Sequence, residues 1–182
     1  MMKVCLAIVI AATMLLASDR ECQSDRDKIV GCVEKEIFLG FRVERPYKDG
    51  KKNGVEKTYY ENGRLRTETP YKDGKKNGVA KEYYESGRLQ TEVPFKDGKE
   101  NGVEKSYYEN GRLQFKKPYK DGRANGVEKA YYSSSEPFAD VIWNNGEITS
   151  AKCHNGSIPT SAQLHNFSKS DDLSDLCGET PH

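Results

Sequence analysis

The chain has 182 residues, with 29 lysines and arginines against 28 aspartates and glutamates, so its formal net charge is +1. A chain of this length forms one domain or a short repeat array with end caps. The near-neutral charge argues against a nucleic-acid-binding protein, which would carry a clear basic excess.

Residues 1–18 have the plan of a secretory signal peptide. A short positive start (MMK) precedes an apolar run (VCLAIVIAATMLL), and Ala17-Ser18 offers a small-residue cleavage site. The apolar run is too short for a comfortable membrane span, so we expect no transmembrane segment after cleavage. A buried N-terminal helix or an uncleaved anchor is the alternative. Cleavage predicts a secreted or periplasmic, extracytoplasmic protein.

Cleavage would remove Cys5 and leave four cysteines, namely Cys22, Cys32, Cys153 and Cys177. An even number in an exported chain predicts two disulfides, with three possible pairings. Local pairing, Cys22 with Cys32 and Cys153 with Cys177, would close one short loop at each end and contribute about 2–4 kcal/mol each. A zinc site is the competing interpretation, but the spacing lacks the close cysteine pairs that zinc sites favour.

Residues 19–46 are predicted to form an N-terminal cap and a first strand. Ile29, Val30, Val33 and Ile37 recur at helical spacing, which favours a short helix. The first strand would then run over residues 38–45.

Residues 47–142 repeat with a period of 24, which divides them into copies 47–70, 71–94, 95–118 and 119–142. Most copies contain one Asn-Gly or Ser-Gly signal and one Asp-Gly signal between short β-prone runs. Such dipeptides are strong indicators of β-hairpins. Each copy therefore predicts two strands, at roughly 54–60 and 64–71 in the first copy.

The loop type predicts the strand register. A three-residue loop pairs Tyr60 with Arg64 and Tyr59 with Leu65, and the same loop at Asp73 pairs Tyr71 with Lys75. A two-residue Asn-Gly turn would scatter the apolar residues over both faces. The three-residue register places one apolar set on a single face: Val55, Tyr59, Leu65, Thr67, Thr69 and Tyr71. It also places Glu56 opposite Glu68.

The polar face would carry three tyrosine–arginine pairs, one in each of the first three copies. Opposed in this way, each arginine could stack over its tyrosine ring. We predict that these residues contact a partner: Tyr60, Arg64, Tyr84, Arg88, Tyr108 and Arg112.

Residues 143–182 are predicted to form a C-terminal cap. The segment SSSEPFADVIWNNGEITSAKC indicates a strand, an Asn-Asn-Gly turn and another strand. The segments SAQLHNF and SDDLSDLCG indicate short helices, with Ser170 as an N-cap and Gly178 as a C-cap. The fold class is thus mainly all-β: a single-layer antiparallel β-meander of hairpin units, with short disulfide-closed helical or irregular caps.

The chain lacks the patterns of catalytic and cofactor sites. A metal site from Cys153, His154 and His165 competes with a disulfide at Cys153. There is no GxSxG nucleophile motif, and DGKKNG lacks the strand-to-helix context of a phosphate loop. We therefore predict that the protein is not an enzyme and holds no cofactor or metal.

The copies resemble the MORN-repeat variant family, whose members run DGKKNG, then a YYENG or YYESG hairpin, then L-x-x-E-x-P-Y. The resemblance covers about residues 47–132. Many family members carry the label toxin–antitoxin system YwqK-type antitoxin. The resemblance implies an extended β array for protein or surface contacts, without catalytic activity. The tail also looks like the cysteine-bracketed end of exported members, which favours a Cys153–Cys177 disulfide.

The leading hypothesis is an exported, non-enzymatic module that binds an unknown protein or a cell-envelope surface. One alternative is an antitoxin or immunity-like protein that neutralises a partner toxin. A second is attachment to an envelope, glycan or anionic-lipid surface through the lysine-rich turns at Lys51-Lys52 and Lys75-Lys76. The sequence fixes neither the partner nor the oligomeric state.

Overall fold

A computed structural model describes residues 20–38, 41–170 and 176–178. The predicted signal peptide lies outside the described residues, as does most of the second helix predicted for the tail. Ser170, predicted as the N-cap of that helix, is the last residue of the helix before it.

The described residues form one open antiparallel sheet of fifteen strands with a short helix near each end. Its long strands pair in chain order: β1 (Cys32–Phe38), β2 (Phe41–Lys48), β4 (Gly54–Tyr59), β5 (Leu65–Lys72), β7 (Gly78–Tyr83), β8 (Leu89–Lys96), β10 (Gly102–Tyr107), β11 (Leu113–Lys120), β13 (Gly126–Tyr131), β14 (Pro137–Asn144) and β15 (Glu147–Cys153). Two-residue strands extend four of the turns: β3 (Lys51–Lys52), β6 (Lys75–Lys76), β9 (Lys99–Glu100) and β12 (Arg123–Ala124). The helices are α1 (Asp25–Val30) and α2 (Ser161–Ser170). The predicted fold class is confirmed.

The longer loop of each hairpin has the predicted form. In the first hairpin the Tyr60 N–H donates to the Arg64 carbonyl at 2.8 Å, and Tyr59 pairs with Leu65. Gly63 has a φ of 80°, which glycine adopts without the steric cost that other residues incur. The Asn62 side chain closes the loop by accepting from the Arg64 N–H at 2.9 Å. The prediction is confirmed for this loop.

One residue beyond that loop the predicted register is wrong. Leu65 pairs with Tyr59 and Thr67 with Thr58, so Arg66 is an extra residue in β5, a β-bulge. The bulge shifts the rest of the hairpin by one residue. Glu56 consequently lies opposite Thr69 and not opposite Glu68, which removes the predicted like-charge pair.

The Asp-Gly loop also differs from the prediction. Lys72 pairs with Lys75 and Tyr71 with Lys76, so the turn has two residues and the predicted pairing of Tyr71 with Lys75 is wrong. Asp73 and Gly74 have φ values of 51° and 81°. Positive φ at both central positions is what a type I′ turn requires, and this turn matches the twist of the strands that it joins.

These shifts divide the predicted apolar set between two faces. Val55 pairs with Pro70, and Tyr59 and Leu65 share their side of the sheet, whereas Thr67 and Tyr71 point to the other side. We call the side of Val55 the valine face. The other side is the core face, because its residues near the C-terminal end are buried: Ala130, Ala139, Val141 and Trp143.

The N-terminal cap is shorter than predicted. The helix ends at Val30, and Val33 and Ile37 lie in β1, which pairs with β2 over its full length. Gly31 ends the helix with a φ of 108°, and the Cys22–Cys32 disulfide has a Cα–Cα distance of 5.2 Å. The predicted helix over Val33 and Ile37 is wrong because strand pairing outweighs their helical spacing.

The helix α1 imitates a preceding repeat. The Gly50 N–H donates to the Lys28 carbonyl at 2.9 Å, just as the Gly74 N–H donates to the Lys52 carbonyl at 2.8 Å. Lys28 lies one period before Lys52 in the sequence, and its Nζ lies 4.9 Å from the Tyr47 ring centroid. The cap thus meets the first hairpin through the contacts that one repeat makes with the next.

The C-terminal cap encloses the main buried core. The predicted strand, turn and strand are present as β14 and β15, and α2 begins after Thr160, whose side chain and Gln163 cap each other's backbone. Phe167 and Leu176 pack onto the core face. The Cys153–Cys177 disulfide holds this segment with a Cα–Cα distance of 5.9 Å.

Candidate interaction surfaces

The predicted tyrosine–arginine pairs lie at the loop end of the hairpins, where they connect consecutive hairpins. The Tyr60 hydroxyl donates to the Tyr83 carbonyl, and the Arg64 guanidinium donates to the Glu85 carbonyl at 2.8 Å. The other two pairs repeat this geometry: Tyr84 to Tyr107, Arg88 to Glu109, Tyr108 to Tyr131 and Arg112 to Ser133. We call these bonds the loop ladder.

The loop ladder differs from the stacking that the sequence suggested. Each predicted arginine is directed to a carbonyl one hairpin further along, and the guanidinium near the Tyr60 ring belongs to Arg66, at 5.8 Å from the centroid. Buried hydroxyl groups need hydrogen-bond partners, and the ladder supplies them. The six residues have a structural role, and their role in binding stays a prediction.

A second row of tyrosines crosses the valine face. The Tyr59 hydroxyl donates to Glu44 at 3.0 Å, Tyr83 to Glu68 at 3.0 Å, and Tyr107 to Glu92 at 3.1 Å. Burial is the first cause that raises the pKa of Tyr59, Tyr83 and Tyr107, and the hydrogen bonds to glutamate raise it further. The row ends at Tyr131, because Lys116 occupies the position that a glutamate holds in the preceding copies.

The valine face carries an exposed apolar row. Val55, Val79, Val103 and Val127 are each 43–44% exposed. Their cross-strand partners are also apolar: Pro70, Pro94, Pro118 and Ile142. Consecutive hairpins are about 9–10 Å apart, so the four pairs extend over about 30 Å. The three-residue register predicts Val55 in an apolar set with Thr67 and Tyr71, and the sequence contains no signal that the valines form an exposed row of their own.

A close glycine–proline contact fixes the spacing of this row. A Cβ added to Gly54 would lie 2.9 Å from the Pro46 Cγ, and at Gly102 it would lie 2.7 Å from the Pro94 Cγ. Only glycine allows the proline ring to approach so closely. A groove continues the row at its N-terminal end, where Val30 and Val33 line it.

A row of charges runs beside the valines, with one residue from each long strand. Its members in strand order are Lys35, Glu44, Lys57, Glu68, Lys81, Glu92, Lys105, Lys116, Lys129, Asp140 and Lys152. The signs alternate from Lys35 to Lys105, which gives opposite charges in each cross-strand pair. At Lys116 the alternation stops, and three lysines lie side by side.

The core face holds a buried polar cluster near its C-terminal end. The Trp143 indole N–H donates to the Glu128 carboxylate at 2.7 Å, and the Lys117 ammonium lies 3.7 Å from the same carboxylate and 4.0 Å from the Trp143 ring centroid. Glu104 lies opposite Lys117. The pKa of Glu104 is raised, chiefly because burial disfavours the charged carboxylate. The attraction between Lys117 and Glu128 offsets part of the cost of removing both charges from water.

The described residues contain no cluster of three side chains able to hold a metal ion. Cys153 is bonded to Cys177, and the His154 ring lies 3.8 Å from the Asp140 carboxylate. Neither described helix has the length and apolar character needed to span a bilayer.

Comparison with protein families agrees with the repeat geometry. No curated protein matches the chain. The model of the MORN repeat variant family matches three consecutive segments, residues 52–73, 76–97 and 100–121. Each match contains the longer loop and the bulged strand of one hairpin. MORN repeats are generally modules for interaction with proteins or lipids, which agrees with a non-enzymatic role. Residues 52–121 therefore contain three consecutive matches to the MORN repeat of the variant type.

Proposed function

We propose that this protein is an exported, non-enzymatic module that binds a protein partner on its valine face. The observation that carries the proposal is the apolar row: four valines at 43–44% exposure, spaced at regular intervals and paired with apolar side chains. Exposed apolar side chains in a continuous row indicate an interaction site more often than isolated ones do. The C-terminal cap lies on the other face.

The rigidity of the array supports this use. The loop ladder and the Asp-Gly turns connect each hairpin to the next by hydrogen bonds, such as those from the Tyr84 hydroxyl to the Tyr107 carbonyl at 2.6 Å and from the Gly98 N–H to the Lys76 carbonyl at 2.8 Å. A surface that is ordered before binding loses less conformational entropy when the partner docks. An open repeat sheet therefore suits recognition of an extended partner surface.

Export is supported by the disulfides and by the N-terminal sequence. Disulfides persist in oxidising compartments and are rare in the cytosol, and Cys22–Cys32 and Cys153–Cys177 both have bonding geometry. The intact mass of the native protein, measured with and without reduction after cell fractionation, tests this. We expect loss of about residues 1–17 and a reduction shift of two disulfides. A full-length, thiol-bearing cytosolic protein would contradict export and favour the cytosolic antitoxin hypothesis.

Site-specific photocrosslinking tests the binding face. A photoreactive residue in place of Val79 should form a covalent adduct with a partner in extracts of the source, identified by mass spectrometry. The matched control places the same residue at Thr67, on the core face of the neighbouring strand. The adduct should disappear when excess unlabelled protein competes. Equal adducts from both positions, or adducts from Thr67 alone, would reject the valine face.

The tyrosine–arginine residues remain a second proposed contact surface. They border the loop end of the array, and Arg64, Arg88 and Arg112 are exposed. The lysine-rich turns are less favourable for attachment to an anionic surface. Lys52 is paired with Glu56 and lies 4.8 Å from the Tyr71 ring centroid, and Lys76 lies 4.7 Å from the Phe95 ring centroid.

A further inference from the structure

The charge row on the valine face divides into a neutral part and a basic part. Its first six members are three lysines and three glutamates, in strict alternation from Lys35 to Glu92. Its last five members, from Lys105 to Lys152, are four lysines against one aspartate. The excess positive charge of this row therefore lies in its C-terminal part.

The centre of the basic part is Lys116. It pairs with Lys105 on one side and with Lys129 on the other. Like charges directly opposite each other in a sheet are unfavourable. The equivalent residues one and two periods earlier are Glu92 and Glu68, so the repeat itself shows which residue the intact pattern would place here.

The two flanking lysines already have carboxylates. The Lys105 ammonium lies 2.7 Å from Glu92, and the Lys129 ammonium lies 3.3 Å from Asp140. Within the described part of the chain, no carboxylate is paired with Lys116. An anion bound over Lys116 would be attracted chiefly by the Lys116 ammonium, and Lys105 and Lys129, on the neighbouring strands about 5 Å to either side, would add to the positive charge around it.

The surroundings of the lysines identify the kind of anion. Along β13 the side chains of Val127, Lys129 and Tyr131 alternate on the valine face, and β10 repeats the order with Val103, Lys105 and Tyr107. Lys105 and Lys129 thus each lie between an apolar and an aromatic side chain, about 7 Å from either. A protein segment with acidic residues between apolar residues matches this order of side chains.

We propose that Lys105, Lys116 and Lys129 form a binding site for an acidic segment of the protein partner, with its apolar residues on Val103 and Val127. This inference rests on the proposed function of the valine face and adds the chemistry of the partner. Because Lys116 has both of its neighbours positive, it should be the lysine on which binding depends most.

Fluorescence anisotropy with two labelled peptides tests the site. In the first peptide, glutamate and leucine follow each other in turn and one serine separates each from the next. The second peptide is the same except that glutamine replaces every glutamate. The purified protein should bind the glutamate peptide more tightly, and added salt should weaken this binding. Lys116→Gln should reduce the affinity about fivefold, the size expected for one partly exposed charge pair.

Two variants complete the test. Lys81→Gln removes the same charge from the alternating part of the row, between Glu68 and Glu92, and should leave the affinity unchanged. Glu68→Lys should convert Lys57 and Lys81 into a second group of three and double the number of peptides bound. Equal effects of Lys116→Gln and Lys81→Gln, or no binding of either peptide, would overturn the inference.

The outcomes also separate this inference from the proposed function. If the protein binds both peptides equally and loses this binding in Val103→Ser, that result would reject an acidic partner segment but keep the valine face as the interaction surface. Failure of the photocrosslinking at Val79, with the glutamate peptide still bound in a Lys116-dependent manner, would reject the partner docking proposed for the whole face but keep the anion site.

Discussion

The Tyr84 hydroxyl donates a hydrogen bond of 2.6 Å to the Tyr107 carbonyl, which lies one hairpin further along the chain. Tyr60 and Tyr108 make the same bond to Tyr83 and Tyr131. Because each bond joins two repeats, the ladder contributes to the interface between repeats, on which the stability of repeat proteins depends. A tyrosine that the sequence marks as a binding residue is here part of the scaffold.

Tyr84→Phe should lower the free energy of unfolding by about 1 kcal/mol, the usual contribution of one hydrogen bond. Chemical denaturation of the variant and the native protein measures this difference. Tyr131→Phe is the matched control, because it removes a hydroxyl from the end of the other tyrosine row, where Lys116 replaces the glutamate. A Tyr84→Phe protein as stable as the native one, but unable to crosslink its partner, would show that Tyr84 acts in binding instead.

Gly102→Ala should destabilise the protein more than Gly111→Ala. Both glycines have positive φ, at 129° and 86°, so alanine costs about 1–2 kcal/mol at either position. At Gly102 the new Cβ would also lie 2.7 Å from the Pro94 Cγ, whereas at Gly111 no atom lies within 4 Å. This crowding should add about 1–3 kcal/mol. Equal melting temperatures for the two variants would contradict the glycine–proline contact.

The protein should lose stability at alkaline pH because its tyrosines favour the protonated form. Burial first, and the hydrogen bond to Glu68 second, raise the pKa of Tyr83 above the ordinary tyrosine value of about 10. A raised folded-state pKa means that the stabilisation is complete below the unfolded pKa and is lost as pH rises through the folded pKa. Denaturation above pH 10, followed by tyrosinate absorbance, measures it. In Tyr83→Phe, the free energy of unfolding should fall less steeply with pH than in the native protein. An unchanged pH dependence would exclude Tyr83 as a contributor.

Glu104→Gln tests the buried cluster of the core face at mildly acidic pH. Burial raises the pKa of Glu104 above the ordinary glutamate value of about 4.5, although Lys117 and Tyr119 oppose the change and Glu100 and Glu128 add to it. The folded state therefore retains the proton longer than the unfolded state, and native stability should decline as pH rises from 4.5 through the folded pKa.

The Glu104→Gln variant should lack this decline, so its stability relative to the native protein should increase over the same window. Denaturant midpoints of the two proteins across the window provide the comparison. Glu92→Gln is a control of opposite sign, because the hydrogen bond from Lys105 lowers the pKa of Glu92. Parallel curves for native and Glu104→Gln proteins would rule out the raised pKa.

The hairpins could be predicted from sequence because their turn chemistry is local. The Tyr60–Arg64 loop followed from its glycine at the left-handed position. The bulge at Arg66 has no such signal, since an arginine without a neighbouring glycine does not mark an extra residue. The two-residue turn at Asp73-Gly74 had a signal, the Asp-Gly dipeptide. Strict alternation of the two faces without a bulge requires a three-residue loop there, and the bulge at Arg66 removes that requirement.

The candidate surfaces were harder to predict for the same reason. A single bulge moves every residue beyond it to the other face, so strict alternation places Val55 and Thr67 on one face, whereas the structure separates them. The group of three lysines depends on pairing between three strands. It appears in the sequence only as one change of residue, from Glu92 to Lys116, within a repeating column.

Because α1 makes the contacts of a repeat, the array can be lengthened or shortened by whole repeats. The Lys28 carbonyl accepts from the first Asp-Gly turn as the Lys52 carbonyl accepts from the next one. The N-terminal cap can therefore join a first hairpin whatever the number of hairpins that follow it. Removing or duplicating one period, such as residues 71–94, would keep every bulge and turn in phase and change the array by about 9–10 Å. The length of the array therefore depends on the number of repeats, while the contacts at both ends stay the same.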